Sequence, residues 1–232
     1  MTPQTDARLG ILMLDTRFPR IPGDVGNPAT WDFPVRYHIV PGATPEAIVH
    51  QDPARFVDAF VDAGRALVAE GCTGIATTCG FLSLLRSDLA RQIGVPVASS
   101  ALEQAGQIVA SLPPDQTLGI LTISGKALTE DHLRAAAVPI RAVIGGMDGT
   151  GFAESILGNR ATLDVSRAEA EMVGAAQSLL RRAPEIGALL LECTNMPPYA
   201  RAVSAATGLP VYSIYTYLNW FHQSLSAQAF SR

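Results

Sequence analysis

Short apolar runs alternate with longer amphipathic stretches along the chain. The runs at 9–14, 35–40, 74–79 and 95–98 are too short for helices and are bounded by polar residues, glycine or proline. Runs of this kind are typical of strands buried inside a parallel sheet. Between them, the stretch from Pro53 to Gly71 spaces its apolar residues as one face of a helix does. This order of elements predicts an α/β protein with mainly parallel sheets.

The same order of elements begins again after Pro113-Pro114-Asp115. Further strands are predicted at 117–123, 140–144, 188–191 and 211–215, and further helices at 129–137, 166–182, 197–207 and 216–229. The letters Leu9-Gly-Ile-Leu12 recur as Leu118-Gly-Ile-Leu121, and Cys79 and Cys193 are separated by 114 residues, as are Gly94 and Gly208. The repeat predicts two similar α/β lobes, residues 1–113 and 114–210, with the closing segment 211–232 able to pack back onto the first.

Two cysteines occupy equivalent places in this repeat. Cys79 and Cys193 each follow an apolar strand and precede a helical run. Ligands of open α/β sheets bind at the carboxyl ends of strands, and helix N-terminal amides there favour a thiolate or a carboxylate. Lobes related by a pseudo-twofold axis would point both thiols into one cleft between them. Such a pair suits removal of a proton from one face of a carbon and its return to the other.

Composition narrows the classes of function. The chain has 232 residues, of which 48% are hydrophobic and 16% charged, and these values are typical of a globular protein. Its net charge of −4, without a basic run, speaks against nucleic acid or an anionic membrane as a partner. No transmembrane or signal pattern is present, so a cytoplasmic protein is expected. We expect no metal and no organic cofactor, because zinc-ligand spacing, a P-loop and a dinucleotide fingerprint are all absent from the sequence.

The motifs Thr77-Thr-Cys79-Gly-Phe and Leu191-Glu-Cys193-Thr-Asn resemble those of the aspartate/glutamate/hydantoin racemase superfamily. The resemblance covers nearly the whole chain. It implies two Rossmann-like lobes with the active-site cleft between them, and a cofactor-independent racemase or epimerase. Cys79 and Cys193 would be the opposed acid and base. The substrate would be a small amino acid or hydantoin-like compound, reacting at a carbon next to a carbonyl or carboxylate.

A set of residues near the two cysteines is predicted to bind the substrate. The resemblance implies that the strand-end residues line the cleft, and two neighbours of the cysteines complete the set: Asp15, Thr78, Gly80, Thr122, Ser124 and Thr194, with Phe81 and Asn195. Phe81 is favoured as a core residue, and Asn195 could equally cap the helix that begins near Pro197. Glu192 is predicted to point away from the cysteine, because side chains alternate along a strand, and to form a salt bridge. The Pro/Gly-rich segment 17–28 is either a lid or a surface crossover.

Two other functions stay open at this point. The first is a maleate-type cis–trans isomerase, or a related lyase, in which one cysteine acts as a nucleophile. The second is a small-molecule binding protein without turnover. The apolar stripe of the closing helix is also compatible with a homo-oligomer.

Overall fold

The computed structural model describes residues 8–225, which form eight β-strands and nine α-helices. The strands are β1 (Leu9–Leu14), β2 (Val35–Val40), β3 (Gly74–Thr77), β4 (Val97–Ala98), β5 (Thr117–Thr122), β6 (Val143–Gly146), β7 (Ile186–Leu191) and β8 (Val211–Ser213). The helices are α1 (Pro45–His50), α2 (Val57–Ala69), α3 (Arg86–Ile93), α4 (Ala105–Ser111), α5 (Glu130–Ala135), α6 (Gly151–Leu157), α7 (Val165–Arg182), α8 (Ala200–Thr207) and α9 (Ile214–Leu225).

The strands form two four-stranded sheets with the same topology. The first sheet has the order β2-β1-β3-β4 and the second the order β6-β5-β7-β8. Every neighbouring pair is parallel. The predicted α/β fold with two lobes is therefore confirmed. The second strand-helix series follows the order of the first, except that α5 lies between β5 and β6 where the first lobe has an irregular segment between β1 and β2.

Glycines end the equivalent helices of the two lobes. Gly94 closes α3 with φ of 86°, and Gly208 closes α8 with φ of 72°. Residues with side chains rarely adopt this left-handed conformation, so glycine is the suitable residue at both positions. Each glycine turns the chain into the last strand of its sheet, which explains why the two are separated by the repeat length.

Some boundaries differ from those predicted. Strand β6 begins at Val143 because Pro139 to Ala142 form a turn that leaves Ile140 fully exposed. The glycine-rich stretch 145–151 contains the end of β6 and the start of α6, which the Thr150 side chain caps. Helix α1 was not predicted. The end of the predicted closing helix, 226–229, lies outside the described residues.

Contacts between distant parts of the chain join the two lobes. The Thr194 hydroxyl donates to the backbone oxygen of Thr78 at 2.7 Å, and the Gln104 side-chain amide donates to the backbone oxygen of Ser213 at 2.9 Å. Helix α9 lies against β3, where Leu225 packs so closely over Gly74 that a β-carbon there would be 2.6 Å from it. Strand β8 remains paired with β7.

Within residues 8–225, no helix combines the length and the apolar character needed to cross a bilayer.

Candidate active site

The two cysteines share one buried cavity. Cys79 lies two residues beyond β3 and Cys193 two residues beyond β7, and the residues are 8% and 7% exposed. Both line a cavity between the carboxyl ends of the two sheets. About 20 Å³ of this cavity is open to the centres of water molecules, which is close to the space that one ordered water requires. The site is therefore closed in this structure.

Cys79 lies at the start of a short 3-10 turn, Gly80–Leu85, in which the Leu82 N–H donates to the backbone oxygen of Cys79 at 3.1 Å. Burial, and secondarily the carboxylate of Glu192, raise the pKa of the Cys79 thiol to about 12. Hydrogen bonds from the backbone N–H groups of Phe81 and Leu82 act in the opposite direction, as does the charge of Arg20. Cys79 is thus a thiol in this structure, and the neighbouring N–H groups and the charge of Arg20 favour its thiolate form.

Cys193 has different neighbours. Its thiol donates to the side-chain oxygen of Asn195 at 3.4 Å. The amide nitrogen of Asn195 donates in turn to the carboxylate of Asp24 at 2.5 Å, so its oxygen faces the sulfur. Burial, followed by the charge of Glu192, raises the pKa of Cys193 well above its ordinary value. An acceptor aimed at the thiol keeps the proton on Cys193.

Glu192 is a buried carboxyl that also lines the cavity. It is 0% exposed, and its Oε2 atom accepts a hydrogen bond of 2.8 Å from the Thr122 hydroxyl. Its Oε1 atom has no hydrogen-bond partner, and no ion pair between described residues involves this carboxyl. Gly80 provides the space: a β-carbon there would overlap Oε1 and lie 3.0 Å from the Glu192 Cδ atom.

The predicted orientation and salt bridge of Glu192 are wrong. Strand β7 ends at Leu191, so the alternation of side chains no longer applies one residue later. The sequence contains a signal that could have located the residue: the offset of 114 that relates Cys193 to Cys79 also relates Glu192 to Thr78. Thr78 was predicted to line the cleft, and both residues do so.

The segment between β1 and β2 covers the cavity. Arg20 and Phe18 of this segment line the cavity wall. Arg20 pairs with Asp24 at 2.7 Å and its Nη2 atom donates to Thr16 at 3.1 Å, but its buried Nε–H has no partner. The segment is fastened to the second lobe by the bond between Asp24 and Asn195. Sequence reasoning missed Arg20 and Asp24 because it left this segment without individual site residues.

Most of the predicted site residues meet at this cavity: Thr78, Cys79, Gly80, Phe81, Cys193, Thr194 and Asn195 all line it. Three others do not. Asp15 is exposed and accepts from the backbone N–H of Gly42 at 3.1 Å, whereas Ser124 donates to Asp148 at 2.7 Å. Thr122 is separated from the cavity by the carboxyl of Glu192, which it holds. Asp15 and Ser124 therefore serve local turns, and Thr122 acts through Glu192.

Replacement of Glu192 by glutamine is expected to change the pH dependence of stability. Burial raises the pKa of this carboxyl from 4.5 to about 7. The folded chain therefore holds the proton more tightly than the unfolded chain, and the associated stability, complete below about pH 4.5, is lost as pH rises through about 7. The gap between the two pKa values corresponds to roughly 3 kcal/mol in the free energy of unfolding. The free energies of unfolding of Glu192→Gln and of the unchanged protein, measured by thermal unfolding, should diverge by about that amount as the pH rises across this range, and the variant should be the more stable of the two.

The matched control is Glu185→Gln at the opposite end of β7. Glu185 is exposed, so its replacement should leave the pH dependence unchanged. A difference between Glu192→Gln and the unchanged protein that stays constant with pH would contradict the elevated pKa.

Comparison with known proteins identifies sequence relatives. No protein-family model matches the chain. It is 30% identical over 229 residues to a dimethylsulfoniopropionate lyase of Durusdinium sp. clade D. The matched region covers 93% of this chain and 74% of that protein. It is 32% identical to dimethylsulfoniopropionate lyases 5 and 7 of Emiliania huxleyi, covering 93% and 94% of this chain. The chain spans only 45% of lyase 5 and 67% of lyase 7.

Solved structures of low sequence identity share the fold. Unliganded arylmalonate decarboxylase superposes with a TM-score of 0.63 at 16% identity, covering 97% of this chain and 95% of that one. The aspartate racemase of Picrophilus torridus gives a TM-score of 0.58 at 14% identity, with coverages of 97% and 96%. The allantoin racemase of Pseudomonas fluorescens gives 0.53 at 16%, with coverages of 94% and 90%. These structures confirm the fold that the resemblance to the racemase superfamily implied.

The prediction of a racemase or epimerase, and with it the isomerase class, is wrong. The sequence relatives are named lyases, so the alternative that included a lyase fits better. The physical reason for the error lies in the motif. Two cysteines beside a bound carboxylate indicate removal of a proton next to that carboxylate, but they do not determine whether the resulting carbanion is reprotonated or expels a leaving group. By sequence, this chain belongs to the dimethylsulfoniopropionate lyase family.

Proposed function

We propose that the chain is a lyase that eliminates a neutral sulfide from a small carboxylate bearing a sulfonium group at its β-carbon. Dimethylsulfoniopropionate, the compound named in its relatives, is the substrate that fits this description. One observation carries the proposal. A single closed cavity brings two thiols together with Arg20 and Glu192, groups of opposite charge that each keep one buried atom without a partner.

The reaction requires one base. A thiolate removes a proton from the α-carbon, and the electrons of that C–H bond form the double bond to the β-carbon. The C–S bond breaks, and its electron pair leaves with sulfur as neutral dimethyl sulfide. Acrylate is the second product, and the abstracted proton stays on the thiol until it passes to water. Because the leaving group departs without charge, it does not need an acid.

Arg20 is proposed to bind the substrate carboxylate. Removal of the α-proton builds negative charge on this carboxylate, and a guanidinium beside it stabilises that charge. Arg20 lines the cavity and its charge acts on Cys79. The carboxylate and the neighbouring α-carbon would accordingly lie nearer Cys79 than Cys193.

Cys79 is proposed as the base. The N–H groups of Phe81 and Leu82 and the charge of Arg20 act to lower the pKa of Cys79. At Cys193 the N–H of Asn195 lowers the pKa, the charge of Asp24 raises it, and the thiol donates to an acceptor oxygen. These contacts favour a thiolate at position 79 and a thiol at position 193. The two cysteines would therefore not exchange roles as they do in a two-base racemase.

Substrate entry requires the cavity to open, because its free space is close to that of one water molecule. The covering segment, residues 15–34, contacts the second lobe through hydrogen bonds of Asp15 and Arg17 with Asn159, of Val25 with Thr194 and of Asp24 with Asn195, and Gly23 lies against Pro198. Displacement of this segment would remove the part of the cavity wall that Phe18 and Arg20 form. Closure after binding would exclude water from the reacting atoms.

The direct test is proton NMR of dimethylsulfoniopropionate mixed with the purified protein. Vinyl signals of acrylate should appear together with the methyl signal of dimethyl sulfide, faster than in a blank without protein. Arg20→Met keeps much of the side-chain volume but removes the charge, and it should reduce kcat/KM by about 100-fold or more. The control is Arg134→Met on α5, an exposed arginine that does not line the cavity. Acrylate formation no faster than in the blank would overturn the proposed function.

A further inference from the structure

The carboxyl of Glu192 lacks a positive partner within the protein. Its Oε1 atom is buried without a hydrogen bond, and among residues 8–225 no arginine, lysine or histidine forms an ion pair with it. An ionised carboxylate in such a place is costly unless a cation or several donors approach it. Cys79 and Cys193, which share the cavity with it, are thiols and bring no positive charge, and the cation of Arg20 is paired with Asp24 at 2.7 Å. A cation that enters the cavity would supply the missing partner.

The walls around this carboxyl are mainly apolar. Phe18, Phe81, Ile123, Ile156 and Leu157 all line the cavity together with Glu192. A protonated amine would need a hydrogen-bond acceptor for each N–H group, and such a wall offers few. Sulfonium and quaternary ammonium groups have no N–H to satisfy, and their methyl groups spread the charge over an apolar surface that packs well against aromatic and aliphatic side chains.

We propose that Glu192, together with the apolar side chains around it, is the recognition site for a methylated onium group of the substrate. This inference rests on the proposed function and deepens it, because it assigns the cationic end of the substrate to a residue. The carboxylate oxygen Oε1 attracts the onium group by charge, and Gly80 leaves the space in which that oxygen lies.

The same contact would connect recognition with activation of the thiols. After burial itself, the negative charge of Glu192 is the largest influence that raises the pKa of both Cys79 and Cys193. A cation bound against Glu192 cancels that influence and adds a positive charge near both sulfurs. A ligand without positive charge would leave the thiols protonated, so cationic substrates would be favoured in the chemical step as well as in binding.

Binding of two ligands of nearly the same shape tests this assignment. The probes are 3-(trimethylammonio)propanoate, which carries the cation, and 4,4-dimethylpentanoate, in which carbon replaces the charged nitrogen. Their dissociation constants are measured by calorimetry for the unchanged protein, Glu192→Gln and Glu185→Gln. The pH is kept above the pKa of about 7 that burial gives Glu192. Glutamine keeps the shape of the side chain without its charge, and Glu185 is an exposed residue on the opposite end of β7.

The unchanged protein and Glu185→Gln should prefer the cationic probe by about tenfold or more, as expected for a close, partly desolvated charge pair. Glu192→Gln should reduce that preference to within about threefold, mainly by weakening binding of the cationic probe. A general structural defect would weaken both probes alike. An unchanged preference in Glu192→Gln, a loss shared by both probes, or failure of both probes to bind the unchanged protein would each overturn the inference.

The outcome is separable from that of the proposed function. If the unchanged protein prefers the cationic probe through Glu192 but forms no acrylate, the lyase proposal fails and the onium site stands. If acrylate forms while the preference is unaffected by Glu192→Gln, the lyase stands and the assignment of Glu192 fails.

Because glutamine could perturb the buried site, Thr122→Val provides a second variant. It removes the hydroxyl that holds Oε2 at 2.8 Å and should reduce the preference while the carboxylate remains.

Discussion

Replacement of Cys79 by serine is expected to reduce the rate of acrylate formation by about 10³- to 10⁴-fold. A positioned general base contributes up to this amount, and a serine hydroxyl is a far weaker acid than a thiol and rarely supplies an anion. Cys193→Ser should lose only about tenfold, because the sulfide leaves without a proton and the thiol of Cys193 donates to the side-chain oxygen of Asn195. Initial rates of acrylate formation at saturating substrate measure both effects.

Cys72 supplies the control for these variants. It is also a buried cysteine, 2% exposed, but it precedes β3 and lies at the opposite end of the strand from Cys79. Cys72→Ala should keep the rate within about twofold of the unchanged protein, since it removes packing without touching the site. A larger loss in Cys193→Ser than in Cys79→Ser would reverse the assignment of the base. Equal and complete losses would show that both thiols take part in the rate-limiting step.

Replacement of Gly80 by alanine is expected to affect stability and activity together. The new β-carbon would overlap the Oε1 atom of Glu192 and lie 3.0 Å from both its Cδ atom and its backbone oxygen. Neither atom can yield easily in a fully buried site, so overpacking should cost about 1–3 kcal/mol. Displacement of the carboxyl by about an ångström should reduce kcat/KM by about 100-fold. Thermal unfolding and rates of acrylate formation measure the two effects.

A second substitution separates the steric effect from other causes. Gly80→Ala combined with Glu192→Ala should regain much of the lost stability, because the overlapping carboxyl is gone, but should not regain activity. Gly174→Ala within α7 is the control, since a β-carbon there meets nothing within 4 Å. It should be neutral or slightly stabilising. Additive losses in the double variant would show that Gly80 and Glu192 do not interact as the structure describes.

The fold was largely readable from the sequence because the strands are short, mainly apolar and repeated. The bounds of β1 and β2 agree with those predicted. The alternation of side chains, however, holds only within a strand. It does not predict the direction of a side chain that lies beyond the strand's last residue. Glu192 follows β7 directly, so its direction is set by contacts with Thr122 and Gly80 rather than by alternation.

The covering segment shows a second limit of sequence reasoning. Its composition predicted an irregular loop between β1 and β2, but Arg20 and Asp24 acquire their places through contacts with residues far along the chain. Asp24 meets Asn195 across 171 positions of sequence. No local sequence pattern encodes such a contact. Without knowledge of it, Arg20 cannot be distinguished in the sequence from any other charged residue of a loop.

The matching order of strands in the two sheets implies descent from one ancestral unit that was copied and joined. The copies have since diverged at their point of contact. One copy carries Thr78 before its cysteine where the other carries Glu192, and Gly80 after it where the other carries Thr194. The carboxyl of the second copy occupies the space that the first copy leaves at Gly80. The two positions are therefore expected to vary together. Among descendants of this chain, a residue larger than glycine at position 80 should rarely occur together with a glutamate at position 192.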